Sequence, residues 1–249
     1  MGRFDERVVI VTGAARGLGR DYARYFAQDG ASVVLADVKD TAAAVAEAAA
    51  ESAGVDARCI GVDVDVTSRT STDAMVARIA DEFGRLDILV NNAGLWRGLG
   101  DAGLLECPDE LWDAAWAVNV TGSLRCYQSA VPLMRDRAWG RVVNVSSMAS
   151  RSGGNPYGLT KHAVEHMTAG MAREVGRHGI TVNCIAPGIS AFEAANSQLA
   201  NADAIVAGNA VQRLGTSRDL YEAIAYLCGE QAEWVTGQTL RVDGGAGTS

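Results

Sequence analysis

The stretch "RVVIVTGAARGLGRD", residues 7–21, sets a run of β-branched residues directly before three glycines. The run is apolar on both faces, as a strand covered by helices on each side is. Gly13, Gly17 and Gly19 then give the spacing GxxxGxG, a variant of the dinucleotide fingerprint, where the first strand turns into the first helix. A turn of this kind lets backbone N–H groups and a helix N-terminus come close to a pyrophosphate. In a chain with 28 glycines the spacing is a weak signal by itself. What surrounds it decides.

Moving outward, further short runs follow: "SVVLAD" (32–37), "RCIGVDV" (58–64), "LDILVNN" (86–92), "RVVNVS" (141–146), "ITVNCIA" (180–186) and "TLRVD" (239–243). Between them lie helical stretches near 18–29, 40–53, 69–83, 109–136, 157–177 and 217–229. Strand and helix alternating about six times predict an α/β fold: a doubly wound, Rossmann-type parallel sheet of about seven strands with helices on both faces. No Pro/Ser-rich linker or charge block interrupts 1–249, so a single domain is expected. Right-handed crossovers place the ligand crevice at the carboxyl ends of the strands.

Composition narrows the functional classes. Hydrophobic residues make up 48% and charged residues 21% of 249, ordinary for a globular protein. A net charge of −8 leaves no basic stripe for a nucleic acid. The apolar runs are far too short for a membrane span, and no secretory signal is visible. Five scattered cysteines, with no CxxC, indicate reduced thiols in a cytoplasmic protein. Only three histidines are present, and His162 and His166 lack the HExxH pattern, so no metal centre is expected.

The cofactor residues follow from the strand ends. Asp37 closes the second strand 18 residues after Gly19. A carboxylate there can accept the adenosine ribose hydroxyls and repels a 2′-phosphate, which favours NAD(H) over NADP(H). Arg16 and Lys39 could meet a 2′-phosphate, so NADP(H) is not excluded. Asp63–Val64 ends the third strand beside an adenine edge, and "NNAG" (91–94) ends the fourth, close to the riboses.

The last motif is "NPYGLTKHA" (155–163), which sets Tyr157 and Lys161 one helical turn apart on one face. As a surface pair they would add a few tenths of a kcal/mol. Together, TGxxxGxG at 12–19, NNAG at 91–94, NVTG at 119–122, the serine pair 146–147, YxxxK at 157–161, PG at 187–188 and "TGQTLRVDGG" at 236–245 make the chain resemble the classical short-chain dehydrogenases/reductases nearly end to end. The resemblance implies that Tyr157 is the general acid/base. An ammonium ~4–5 Å away at an effective dielectric of ~20 is worth roughly 3–4 kcal/mol, which brings a phenol towards the working range of acid–base catalysis. Lys161 would also hold the nicotinamide ribose, Ser147 would bond the substrate oxygen with Ser146 as its rival, and Asn119 would hold a water linking Lys161 to solvent. Cofactor contacts are implied at Gly13, Arg16, Gly17, Leu18, Gly19, Asp37, Val38, Asp63, Val64, Asn91, Ala93, Gly94, Tyr157, Lys161, Pro187, Gly188, Ile189 and Ser190.

Two departures stand out. Ser147 and Tyr157 are ten residues apart, where relatives generally have a slightly longer loop. Phe192 occupies a position where relatives often carry Thr, and Ser190 could substitute for it. Residues 188–212 are small, polar and weakly patterned, as a substrate lid would be. Leu95, Trp96, Met148 and Phe192 would form a mostly apolar pocket for a hydrophobic or ring-bearing secondary alcohol or ketone. Arg97 and Arg151 are candidate anchors for an acidic substrate, while Trp112 and Trp116 read as core or subunit contact. The first reading is an NAD-dependent alcohol dehydrogenase/ketone reductase. The alternatives are an NADPH-dependent 3-oxoacyl (ACP/CoA) or carbonyl reductase and a non-catalytic NAD-binding protein. The family implies a homotetramer or homodimer.

Overall fold

The computed structural model describes residues 2–53, 56–99, 103–151, 154–191 and 202–246. Seven strands, β1 (Val8–Thr12), β2 (Ser32–Asp37), β3 (Cys59–Asp63), β4 (Ile88–Asn91), β5 (Gly140–Val145), β6 (Ile180–Pro187) and β7 (Thr239–Val242), form one sheet. Its order is β3-β2-β1-β4-β5-β6-β7 and every pairing is parallel. The strand order reverses between β1 and β4, where chemistry gathers in such sheets.

Period-two alternation explains why the strands are apolar on both sides. Val9, Val11, Val33, Leu35, Ile88 and Val90 face one core with Tyr22 and Phe26 of α1 (Gly17–Gln28) and Tyr221 and Ile224 of α8 (Ser217–Cys228). Their neighbours Val8, Ile10, Val34 and Leu89 face the other. That second layer is built from α3 (Arg69–Phe83), α5 (Ser123–Arg135) and α6 (Pro156–Val175), through Ile79, Met134 and Met171. The described residues also form the α-helices α2 (Ala42–Ala50), α4 (Asp109–Ala115) and α7 (Ala202–Gly208).

One helix differs from its sequence reading. The expected continuous helix 109–136 is α4 and α5 joined by a π-helical turn, Trp116–Gly122. A wider turn of this kind shifts the side chains beyond it relative to a regular helix and is frequent at functional sites. The weakly patterned stretch also contains more structure than expected: α7 forms within it, while Phe192 and 193–201 lie outside the described residues. Among the described residues, no helix is long and apolar enough to cross a membrane, and no cluster of metal-ligating side chains forms.

Candidate active site

Because all the strands are parallel, their carboxyl ends share one edge of the sheet. The glycine turn after β1 is pressed against the NNAG turn after β4. Gly13 adopts φ +67°, and a Cβ there would stand 2.9 Å from the Ala93 Cα. A Cβ on Gly19 would overlap the Gly13 carbonyl oxygen. Thr12 ties the two turns together, its Oγ1 accepting from the Asn92 and Ala93 N–H groups at 3.0 Å each. Helix α1 then starts with Arg16 as N-cap, without a side-chain cap and without an acidic residue in its first turn. By contrast, α3, α6 and α8 are capped by Ser68, Asn155 and Thr216. The first turn of α1, including Leu18, thus keeps donors and a positive dipole end for an external anion.

Asp37 stands beside this turn. Its Oδ2 accepts from the Ala15 N–H and its Oδ1 from the Lys39 N–H, both at 3.0 Å. Val38 is exposed, Asp63 pairs in register with Asp37 and is exposed, and Val64 is buried. Asn91 is buried, its Nδ2 donating to Asn144 Oδ1 at 2.9 Å and to the Ser123 carbonyl at 3.2 Å.

Helix α6 carries the candidate acid–base pair. Asn155 caps it, accepting from the Gly158 N–H at 2.7 Å, and Pro156 opens its first turn, where a missing N–H costs nothing. Tyr157 is half-buried and Lys161 is 4% exposed. The Lys161 Nζ lies 5.6 Å from the Tyr157 ring centroid and donates to the Val145 carbonyl at 2.7 Å. A Cβ on Gly94 would sit 3.4 Å from that Nζ and 3.5 Å from Asn119 Oδ1. Tyr157, Lys161, Asn119 and the NNAG turn therefore meet at one place.

Asn119 occupies the π turn, and its carboxamide grips the backbone just after Gly94. Oδ1 accepts from the Leu95 N–H at 2.7 Å, while Nδ2 donates to the Leu95 carbonyl and to Thr160 Oγ1 at 2.9 Å each. Thr160 in turn donates to the Tyr157 carbonyl at 2.8 Å. The two serines after β5 separate cleanly. Ser146 is buried, and its Oγ lies 3.1 Å from the Lys161 carbonyl and 2.8 Å from Glu165 Oε1. Ser147 is half-buried and caps the short 3₁₀ turn Met148–Ser150, its Oγ accepting from the Ala149 N–H at 3.2 Å.

On the far side, Pro187 ends β6 and Gly188 donates to the Val242 carbonyl at 3.0 Å. After Ile189, Ser190 is buried and bridges to Gly215. Of the pocket candidates, Leu95 and Met148 are half-buried, Trp96 is exposed, and Phe192 lies outside the described residues. Arg97 and Arg151 are exposed. Trp112 and Trp116 pack with centroids 5.8 Å apart and rings tilted by 46° on the α4 side. Three residues escaped the sequence reading: Thr12, Thr160 and Glu165. Glu165 had a signal, since 157, 161 and 165 share one helical face.

Residues 13–247 match the family model described as enoyl-(acyl carrier protein) reductase. The chain is 38% identical over 252 residues to the short-chain reductase protein NovJ of Streptomyces niveus, covering 96% of this chain and 94% of that one. The chain belongs to the classical short-chain dehydrogenases/reductases. Another relative is the 3-oxoacyl-(acyl-carrier-protein) reductase FabG of Staphylococcus aureus (strain Mu50 / ATCC 700699), 34% identical over 245 residues, or 95% of this chain and 96% of that one. A crystal structure from Sinorhizobium meliloti 1021, provisionally named a short-chain alcohol dehydrogenase, superposes with a TM-score of 0.90 at 29% identity, covering 99% of both chains. This short-chain dehydrogenase/reductase is thus an oxidoreductase by family, and the family binds a nicotinamide cofactor. The uncapped start of α1, the paired glycine turns and the carboxylate of Asp37 fit such a dinucleotide.

Proposed function

We propose that this chain interconverts a secondary alcohol and a ketone with NAD(H), the substrate being hydrophobic or ring-bearing. The observation that carries the reading is the buried Lys161 ammonium 5.6 Å from the Tyr157 ring and against Gly94. Bound along the glycine turns, the nicotinamide would supply or accept the hydride. Tyr157 donates its proton to the carbonyl oxygen in reduction and takes it from the alcohol in oxidation. Lys161 stabilises the phenolate form by charge and holds the nicotinamide ribose. Ser147 supports this role because its Oγ already accepts from Ala149, leaving its O–H to donate to the substrate oxygen. Ser146 is held by Glu165 and Lys161. Asn119 fixes the Leu95 backbone and so the floor beside Lys161, and a water there would continue the path to solvent.

Asp37 supports NAD(H), because its carboxylate would face the extra charge of a 2′-phosphate. Val38, Asp63 and Val64 would border the adenosine, Asn91, Ala93 and Gly94 the riboses, and Pro187–Ser190 the carboxamide. Residues 188–212 are read as the lid of a single domain spanning 1–249. A second reading, an NADPH-dependent 3-oxoacyl or carbonyl reductase, is favoured by the likeness to FabG and by exposed Arg16. We read the assembly as a cytoplasmic homotetramer, supported by the edge strand β7 with Trp234, Tyr226 and Leu240 exposed around it. The test is a panel of alcohols and ketones, including 3-oxoacyl thioesters, assayed with both cofactors. Turnover of secondary alcohols with NAD supports the first reading. Tighter binding of NADPH with thioester reduction supports the second. Cofactor binding without turnover of any panel member refutes both.

A further inference from the structure

The segment between Ser147 and Tyr157 is short, yet it must present Ser147 to the same substrate oxygen as the phenol. Two fastenings tie its first half to α6. The Ala149 carbonyl packs so closely on Gly158 that any Cβ there would overlap it. One atom of Glu165 supplies the second: Oε1 lies 2.8 Å from Ser146 Oγ and 2.6 Å from Ser150 Oγ. These two hydroxyls bracket residues 147–149, so a single carboxylate oxygen spans the 3₁₀ turn that Ser147 caps. Ser146 and Ser150 are both buried and Glu165 is half-buried, so water is a poor substitute at either hydroxyl. Ser146 has a second acceptor in the Lys161 carbonyl at 3.1 Å, which makes Ser150 the hydroxyl that depends more on Glu165. Glu165 also lies two turns beyond Tyr157 and one beyond Lys161 on the same helical face. The turn is therefore registered against the element that carries both proposed reacting groups.

We propose that Glu165 is a positioning residue for Ser147, acting as a shared hydrogen-bond acceptor and not through its charge. It bonds Ser146 and Ser150, and through them fixes where the Ser147 hydroxyl points. This rests on the proposed role of Ser147, but its structural half stands apart from any activity.

The discriminating pair is Glu165→Gln and Glu165→Leu. An amide oxygen can accept both hydroxyl bonds, whereas leucine fills the space and accepts neither. Two quantities are measured for each variant: amide hydrogen exchange over 146–151, and steady-state kinetics beside the dissociation constant for NADH. Glu165→Gln is expected to keep wild-type exchange and a kcat within about threefold. Glu165→Leu is expected to raise exchange in 146–151 while leaving β1 and β4 protected. Its kcat should drop roughly 10–100-fold, as misplacing a reacting group by about an ångström does, with the NADH dissociation constant changed less than about twofold. Ser150→Ala should reproduce part of this loss. Wild-type exchange in Glu165→Leu would overturn the proposal, and so would a Glu165→Gln variant as damaged as Glu165→Leu, which would assign the effect to charge. If the wild-type chain turns over no panel substrate, the proposed function fails, and the exchange comparison still decides whether Glu165 holds the turn.

Discussion

Removing the Asn119 carboxamide tests the link between the π turn and the site. Asn119 is 1% exposed and makes three hydrogen bonds of 2.7–2.9 Å, two of them to the backbone of Leu95. In Asn119→Ala, the Leu95 N–H and carbonyl and the Thr160 hydroxyl lose this partner together. Each buried group left unsatisfied costs about 1–3 kcal/mol. Leu95 is half-buried, so water recovers part of this, and the net loss should be on the order of 2–4 kcal/mol. For a chain of this size about 2–4 °C of Tm accompanies each kcal/mol, so differential scanning calorimetry should show a fall of roughly 5–15 °C. The Leu95 backbone directly follows Gly94, which abuts Lys161, so cofactor binding should weaken with it. Asn119→Asp keeps one acceptor for the Leu95 N–H but loses both donors, and should be no more stable than the alanine variant. An alanine variant melting within about 1 °C of wild type would show that the carboxamide does not hold the turn.

Other outcomes follow from the same geometry. Asp37→Ala removes the carboxylate that a 2′-phosphate would face, so the ratio of NADPH to NADH affinity should rise at least about tenfold, or ~1.4 kcal/mol, in fluorescence titrations. Asp219 closes a capping box with Thr216 and binds Arg213, which holds its carboxyl well below the usual carboxylate range. A folded-state value depressed in this way stabilises above the unfolded value and is lost as pH falls. Asp219→Ala should therefore cost about 1 kcal/mol at neutral pH, with the gap to wild type closing below about pH 4 in chemical denaturation. Burial pushes the thiols of Cys126, Cys184 and Cys228 up to about 12 and raises that of half-buried Cys59 as well. Alkylation of the native chain at pH 8 should therefore be fastest at Cys107, slower at Cys59 and absent at the other three by mass mapping.

The sheet was legible because a strand buried on both faces leaves an unbroken apolar run, and β2 begins and ends where "SVVLAD" does. The glycine turn was legible for a different reason: only glycine tolerates the approach of Ala93 at Gly13, so the requirement is written into residue type. Contacts between distant segments left weaker traces. Asn119 reads as a mildly unfavourable helix residue, but nothing local reports that the helix widens there or that Leu95 is its partner. The division between Ser146 and Ser147 depends on Glu165, eighteen residues beyond Ser147, and a single acidic residue on a helix reads first as a solvated one. The substrate walls were least legible, since apolar side chains at a rim look the same whether they face a ligand, a subunit or solvent.

The most direct test compares Tyr157→Phe with wild type on the best substrate of the alcohol and ketone panel, with NADH affinity measured in parallel. The phenyl ring preserves packing and removes only the hydroxyl, so kcat should fall roughly 10²–10⁴-fold, the range of general acid–base catalysis, with the NADH dissociation constant within about twofold of wild type. A phenylalanine variant that turns over at the wild-type rate would contradict the account.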